Sequence, residues 1–154
     1  MRRKDREIND INRIEEIIGR SDVCRLAMCD GTTPYMVAMN FGYMRGESSR
    51  LYFHCATAGK KLDIIRKNNN VFFQFDTDHK LVSAGEACDF TMKYSSVTGS
   101  GKIYIVDKEE ERIKGLNVLM KQYSGKDDYA FKPGLMKNTL ILRIDIEEMI
   151  GKVV

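Results

Sequence analysis

Apolar residues recur at Ile8, Ile11, Ile14 and Ile17/Ile18 between charged neighbours, and the pattern stops at Gly19. That spacing predicts an amphipathic first helix ended by glycine. From residue 23 the period changes. Residues 23–28, 34–44, 50–54, 71–76, 92–106 and 139–145 are rich in Val, Ile, Tyr, Phe and Thr and are separated by polar or glycine clusters, which predicts six strands. The Asp30-Gly31 step and residues 45–49 read as hairpin connections, so the first three strands are expected to pair antiparallel. Two more helices interrupt the strands. Residues 59–67 carry Leu62, Ile64 and Ile65; residues 108–123 follow a capping Asp107, have Glu110 in the capping-box position, and align Ile113, Leu116, Leu119, Met120 and Tyr123 on one face. Gly99 and Gly101 are expected to bulge or bend the fifth strand, with Gly99 at a positive φ that a β-branched residue cannot hold cheaply. The sum is a mainly β protein with flanking helices, a six-stranded antiparallel barrel closed or partly closed, not the regular strand–helix alternation of a parallel sheet.

Composition narrows the class. A chain of 154 residues with 43% hydrophobic and 31% charged residues is enough for one core without disulfides or a structural metal, so residues 1–154 are read as a single domain. The net charge of +3 comes without a basic stripe, which argues against a nucleic-acid partner. No apolar run approaches the roughly 20 residues that span a bilayer, and the basic start, residues 1–4, runs into the first helix rather than a signal core; a cytoplasmic protein without membrane contact is expected. Cys24, Cys29, Cys55 and Cys88 form no Cys-x-x-Cys pair and there are only two histidines, so no metal site is expected. The first three cysteines read as small buried hydrophobes in a reduced protein.

The most informative stretch for chemistry is residues 51–61, where a strand runs through small residues into a helix that opens on Lys60 and Lys61. Cations oppose the dipole at a helix start, whereas a bound anion would turn both lysines and the free amides into favourable contacts. Spacing alone leaves this open against two solvated surface lysines, because the stretch is neither a P-loop nor a dinucleotide fingerprint. His54, at a strand end, is either an ordinary polar group or a catalyst. His79 reads as solvated in a charged loop, residues 108–112 as a helix start with an exposed acidic face, Cys55 as buried, and Met36 as core. No Ser-His-Asp order or paired-carboxylate spacing offers a rival scheme.

Residues 25–28 (RLAM), 34–43 (PYMVAMNFGY), 51–56 (LYFHCA) with 59–63 (GKKLD), 88–103 and 148–152 (EMIGK) together resemble the flavin-binding split-barrel family related to pyridoxamine 5′-phosphate oxidase, nearest its nitroimidazole-resistance (Nim-type) branch. The resemblance covers almost the whole chain. It implies a six-stranded split barrel that forms a homodimer and holds flavin mononucleotide (FMN), or alternatively FAD, at the subunit interface. Carried over by position, it puts the backbone of Met39, Asn40 and Phe41 beside the flavin ring and His54 near the ribityl chain or ring edge as the candidate catalytic residue. Thr57, Gly59, Lys60 and Lys61 then surround the phosphate, and Ser96 and Val97 supply a second side of the cleft. The implied activity is an oxidoreductase that draws electrons from a nicotinamide nucleotide or another small donor and reduces a small electrophile such as a nitroimidazole. The alternative is a non-catalytic flavin- or haem-binding split barrel. One departure bears on substrate: pyridoxamine phosphate oxidases end in Trp and Arg-Leu elements, whereas this chain has no Trp and ends EEMIGKVV, so oxidation of pyridoxamine phosphate is not expected.

Overall fold

Alternating apolar positions build one antiparallel sheet of eight strands: β1 (Glu7–Ile8), β2 (Cys24–Asp30), β3 (Thr33–Met39), β4 (Gly42–Met44), β5 (Arg50–Cys55), β6 (Asn70–Val82), β7 (Thr91–Val106) and β8 (Leu140–Val153). The helices are α1 (Ile11–Arg20), α2 (Lys60–Lys67), α3 (Glu109–Ser124) and the short α4 (Pro133–Met136). The computed structural model describes residues 3–154, without the side chains of Pro133 and Leu135; residues 1 and 2 of the basic N-terminal run lie outside the described residues.

The strand order is β3-β2-β6-β7-β8-β5-β4, with β1 on the far end of β8. Its two edges, β3 and β4, are halves of the single predicted strand 34–44, broken at Asn40 and Phe41. The sheet therefore curls until its edges are joined by two residues of chain rather than by a ladder of hydrogen bonds. This is a split barrel. The expected count of six strands becomes eight because 34–44 divides and because Glu7 and Ile8 pair with Lys152 and Gly151. Both predicted hairpins form: Asp30 faces Thr33 across Gly31-Thr32, and Met44 faces Arg50.

The inside of the curl holds the main core, in which Leu26, Phe41, Phe53, Phe73, Phe75, Val97 and Leu142 are fully buried. Ile8, Ile14, Ile17 and Ile18 of the N-terminal segment join it. Asp10 caps α1 by accepting from the Asn12 N–H. The helix runs through Gly19 to Arg20 and stops at Ser21, whose backbone N–H donates to Ile18 O and whose hydroxyl donates to Ile17 O. The stop is thus set by serine, not by Gly19.

α3 covers the outer side of β4, β5 and β8. The approach is close: a Cβ on Gly42 would lie 2.5 Å from the Val118 backbone. The expected Asp107 cap is absent, since Lys108 occupies the N-cap and no side chain caps the first amides. Glu111 turns down from the acidic start to Arg143 at 2.7 Å instead of facing water. Ile113 is 39% exposed, so the apolar face narrows to the Leu116–Leu119–Met120 side.

Four further expectations change. Gly99 is not at positive φ; it is glycine because a Cβ there would lie 2.4 Å from both Glu148 O and the Phe73 ring, which lies across the strand from it. The irregularity sits on β8, where register slips by one residue opposite Ser100 and Gly101. Met36 is 62% exposed, because alternation turns Tyr35, Val37 and Met39 inward and leaves Met36 outside; Cys29 on β2 is exposed for the same reason. His79 lies within β6, with Nε2 3.2 Å from Asp76 Oδ2 and its ring stacked on Tyr94.

Candidate functional site

β5 leads straight into the site. Leu51, Phe53 and Cys55 point to the core, so His54 points out, and residues 56–59 form an exposed turn before α2. Gly59 is the N-cap at φ +137°, a conformation glycine alone holds at low cost. No side chain caps α2, and Gly59 O accepts from Leu62 N at 2.9 Å and from Asp63 N at 3.4 Å, so the helix presents the amides of Lys60 and Lys61 towards the small-residue turn. Lys60 is not uncompensated, as the sequence suggested: its Nζ is 3.4 Å from Asp30 Oδ2 and 5.0 Å from the centre of the Tyr35 ring. Lys61 is half-buried and makes no ion pair among the described residues. Burial pushes the Cys55 thiol up and Lys61 opposes this only in part, so Cys55 is held as a thiol.

On the other side of His54 lies a cavity of about 350 Å³. Its apolar walls are Leu116, Leu119, Met120 and Tyr123 of α3 with Phe131 and Met136; its polar side chains are Asn40, His54 and Thr139. Asn40 and His54 are exposed and make no side-chain hydrogen bond among the described residues. β3 connects the two parts of the site. Tyr35 touches Lys60 at one end, and Asn40, just past the other end, reaches the cavity; at about 3.3 Å per residue they are roughly 17 Å apart. As an edge strand, β3 also has neighbours on one side only and leaves backbone groups free on the other.

Tyr123 holds the break between β3 and β4. Its hydroxyl accepts from the Phe41 N–H at 3.0 Å and donates to Asp22 O at 2.9 Å. Sequence reasoning placed Tyr123 only on an apolar helix face; the available signal was the hydroxyl itself, which an apolar face does not need. Tyr123→Phe is expected to cost about 1–3 kcal/mol by leaving the Phe41 amide unpaired. Urea unfolding of variant and wild type checks this, and a loss below about 0.5 kcal/mol would contradict the bracing role.

Of the sequence-predicted residues, the chain brings together Asn40, His54, Thr57, Gly59, Lys60 and Lys61 along the β3 edge and the turn before α2. Met39 and Phe41 flank Asn40, but both side chains are buried in the core and the Phe41 amide is already bonded to Tyr123. Ser96 and Val97 are elsewhere. They lie on β7, three strands from β3, about 14 Å along the sheet at the usual strand spacing. Val97 is fully buried and Ser96 is 8% exposed, opposite Asp76 and Lys152.

Residues 10–153 match the family model described as pyridoxamine 5′-phosphate oxidase. The chain belongs to that family. No curated protein matches the chain significantly. Among solved structures, this member of the pyridoxamine 5′-phosphate oxidase family is similar to a candidate 5-nitroimidazole antibiotic resistance protein of Bacteroides thetaiotaomicron, with 33% identity over 96% of this chain and 86% of that one and a TM-score of 0.83. It shares its fold with the flavocytochrome Anf3 of Azotobacter vinelandii (16% identity, 100% and 72% of the two chains, TM-score 0.80). The same holds for the FAD- and haem-binding protein of Mycobacterium smegmatis (16% identity, 96% and 73%, TM-score 0.79). Among the described residues, no group of three or more His, Cys, Asp or Glu side chains is placed to hold a metal, and no helix is long and apolar enough to cross a membrane.

Proposed function

We propose that this chain is an FMN-dependent oxidoreductase that works as a homodimer and reduces small electrophiles, nitroaromatic compounds such as nitroimidazoles among them. The observation that carries the reading is the joining, along one edge strand, of an uncapped helix start flanked by Lys60 and Lys61 and an apolar cavity with Asn40 and His54 at its rim. The residues present fit the cofactor. The turn at 56–59 has no bulky side chain to keep a phosphate from the α2 amides, and Lys61 has no competing ion pair among the described residues. Lys60, Lys61, Thr57 and Gly59 would hold the phosphate end, and the Met39–Asn40 backbone with His54 would hold the ring end. FMN, when bound, supplies two-electron redox chemistry between a nicotinamide nucleotide or other small donor and the electrophile. The protein's part is to bind, to orient and to exclude water; His54 can give or take a proton at the cavity mouth.

Two features support the homodimer. Met36 on β3 and Phe72 on β6 flank Ala27 in register on the outer face, 62% and 49% exposed, an apolar row that a second copy would cover. Ser96 is almost buried and three strands from the β3 edge of its own chain, so the role in the flavin cleft that the family resemblance implies for it would fall to the partner's cleft. The four free thiols accord with a reducing, cytoplasmic location. The second reading, a non-catalytic flavin or haem binder, draws on the two fold neighbours, one a flavocytochrome and the other an FAD- and haem-binding protein.

The visible spectrum of the purified protein separates these. The oxidoreductase reading expects flavin absorption that bleaches under excess NADH or NADPH and returns when a nitroimidazole is added. A flavin spectrum unmoved by either nucleotide and by other small donors supports the binder, and a colourless protein that takes up neither added flavin nor added haem contradicts both.

A further inference from the structure

The cavity beneath α3 is chemically one-sided. Among the described residues no charged side chain lines it, and the Tyr123 hydroxyl is already engaged with the Phe41 amide and Asp22 O. Arg112 donates to the carbonyls of Met136 and Thr139, two residues of the lining, and so braces that segment. What remains for a ligand is an apolar chamber whose polar side chains are all neutral in kind or imidazole: the Asn40 amide and the His54 ring at the mouth and the Thr139 hydroxyl in the lining. At about 350 Å³ it falls at the lower end of small-molecule sites, roughly 300–1,000 Å³. It would hold about a dozen waters at roughly 30 Å³ each, with few polar groups to retain them.

We propose that this cavity seats the electron acceptor and selects an uncharged ring compound, its single polar end turned to Asn40 and His54, over any anionic analogue. The assignment to an acceptor rests on the oxidoreductase reading above. The selectivity rests on the walls alone. A carboxylate or phosphate carried into this lining would lose its hydration and meet no cation, whereas a neutral ring displaces loosely held water. Met120 and Phe131, both partly buried in the lining, set the size of ring admitted. The phosphate of pyridoxamine 5′-phosphate has no counterpart here, which separates this member from the reaction its family is named for.

The test uses the full chain and the neutral fluorophore N-phenyl-1-naphthylamine, displaced by nitrobenzene or by 4-nitrobenzoate, the same ring with and without a carboxylate. Nitrobenzene is expected to displace the probe at a concentration at least ten-fold lower. Met120→Trp, which fills the chamber, is expected to weaken probe binding at least ten-fold while FMN affinity, titrated separately, stays within two-fold. If that variant does not fold, Phe131→Ala is expected to weaken the probe three- to ten-fold. Equal competition by the two nitro compounds overturns the proposal. So does unchanged probe binding in a folded variant, or expulsion of the probe by saturating FMN, which would make the cavity part of the flavin's own seat. A protein that discriminates between the two compounds yet binds no flavin contradicts the oxidoreductase reading alone, and the cavity's selectivity stands.

Discussion

Gly99→Val is expected to destabilise the protein by at least about 3 kcal/mol, a fall in Tm of roughly 6–12 °C for a chain of this size. The cause is room, not backbone conformation. The added Cβ would meet Glu148 O and the Phe73 ring at 2.4 Å, and neither the β8 backbone nor a fully buried ring can yield without disturbing the core. Phe73 lies across the strand from Gly99 and fills the space a side chain would take. Flavin content should fall as well, because forcing β7 away from β8 at Gly99 also shifts Ser96, three residues earlier on the same strand. Thermal unfolding with and without FMN checks both effects, and an unchanged Tm with full flavin occupancy would show that the close approach is not needed. Adding Phe73→Leu should recover part of the loss if the ring, rather than the backbone oxygen, is the harder obstacle.

Replacing both lysines at the start of α2, Lys60→Ala with Lys61→Ala, is expected to weaken FMN binding by about 3 kcal/mol or more, a hundredfold or greater rise in Kd. Stability without cofactor should move by less than about 1 kcal/mol. The change relieves two cations facing the helix dipole, each costing about 0.3–1 kcal/mol, and gives up the exposed Lys60–Asp30 pair, which contributes about 0–1 kcal/mol. These nearly cancel. Because Lys60 already has Asp30 and Tyr35, Lys61→Ala alone should account for the larger share of the lost affinity. Equal loss of FMN and riboflavin affinity, or a collapse of apo stability, would identify both lysines as structural.

Much of this was legible in the sequence, for physical reasons that also explain the misses. Alternation and glycine punctuation marked β2, β5, β7 and the two hairpins, since those signals are local. The division of 34–44 was not local: Asn40 and Phe41 leave the ladder because the sheet curls, and Tyr123, over eighty residues away, takes up the Phe41 amide. Met36 was misplaced for the same reason, as an apolar residue on a strand looks like core until the register assigns its face. The Lys60–Lys61 pair was correctly seen at a helix start, but Asp30 could be added as a partner only once the β2–β3 hairpin had brought it to α2. The cavity beneath α3 had no signature, because its walls come from a helix face, the 131–139 segment and a strand end that only packing joins.

On the function proposed above, the β3 edge and the α2 start hold a flavin by its phosphate and its ring together. Titrating the wild-type protein, stripped of any bound cofactor, with FMN and with riboflavin by flavin fluorescence tests it most directly. Saturable binding of both is expected, with FMN at least ten-fold tighter; binding of neither, or of both with equal affinity, would rule out this two-ended hold.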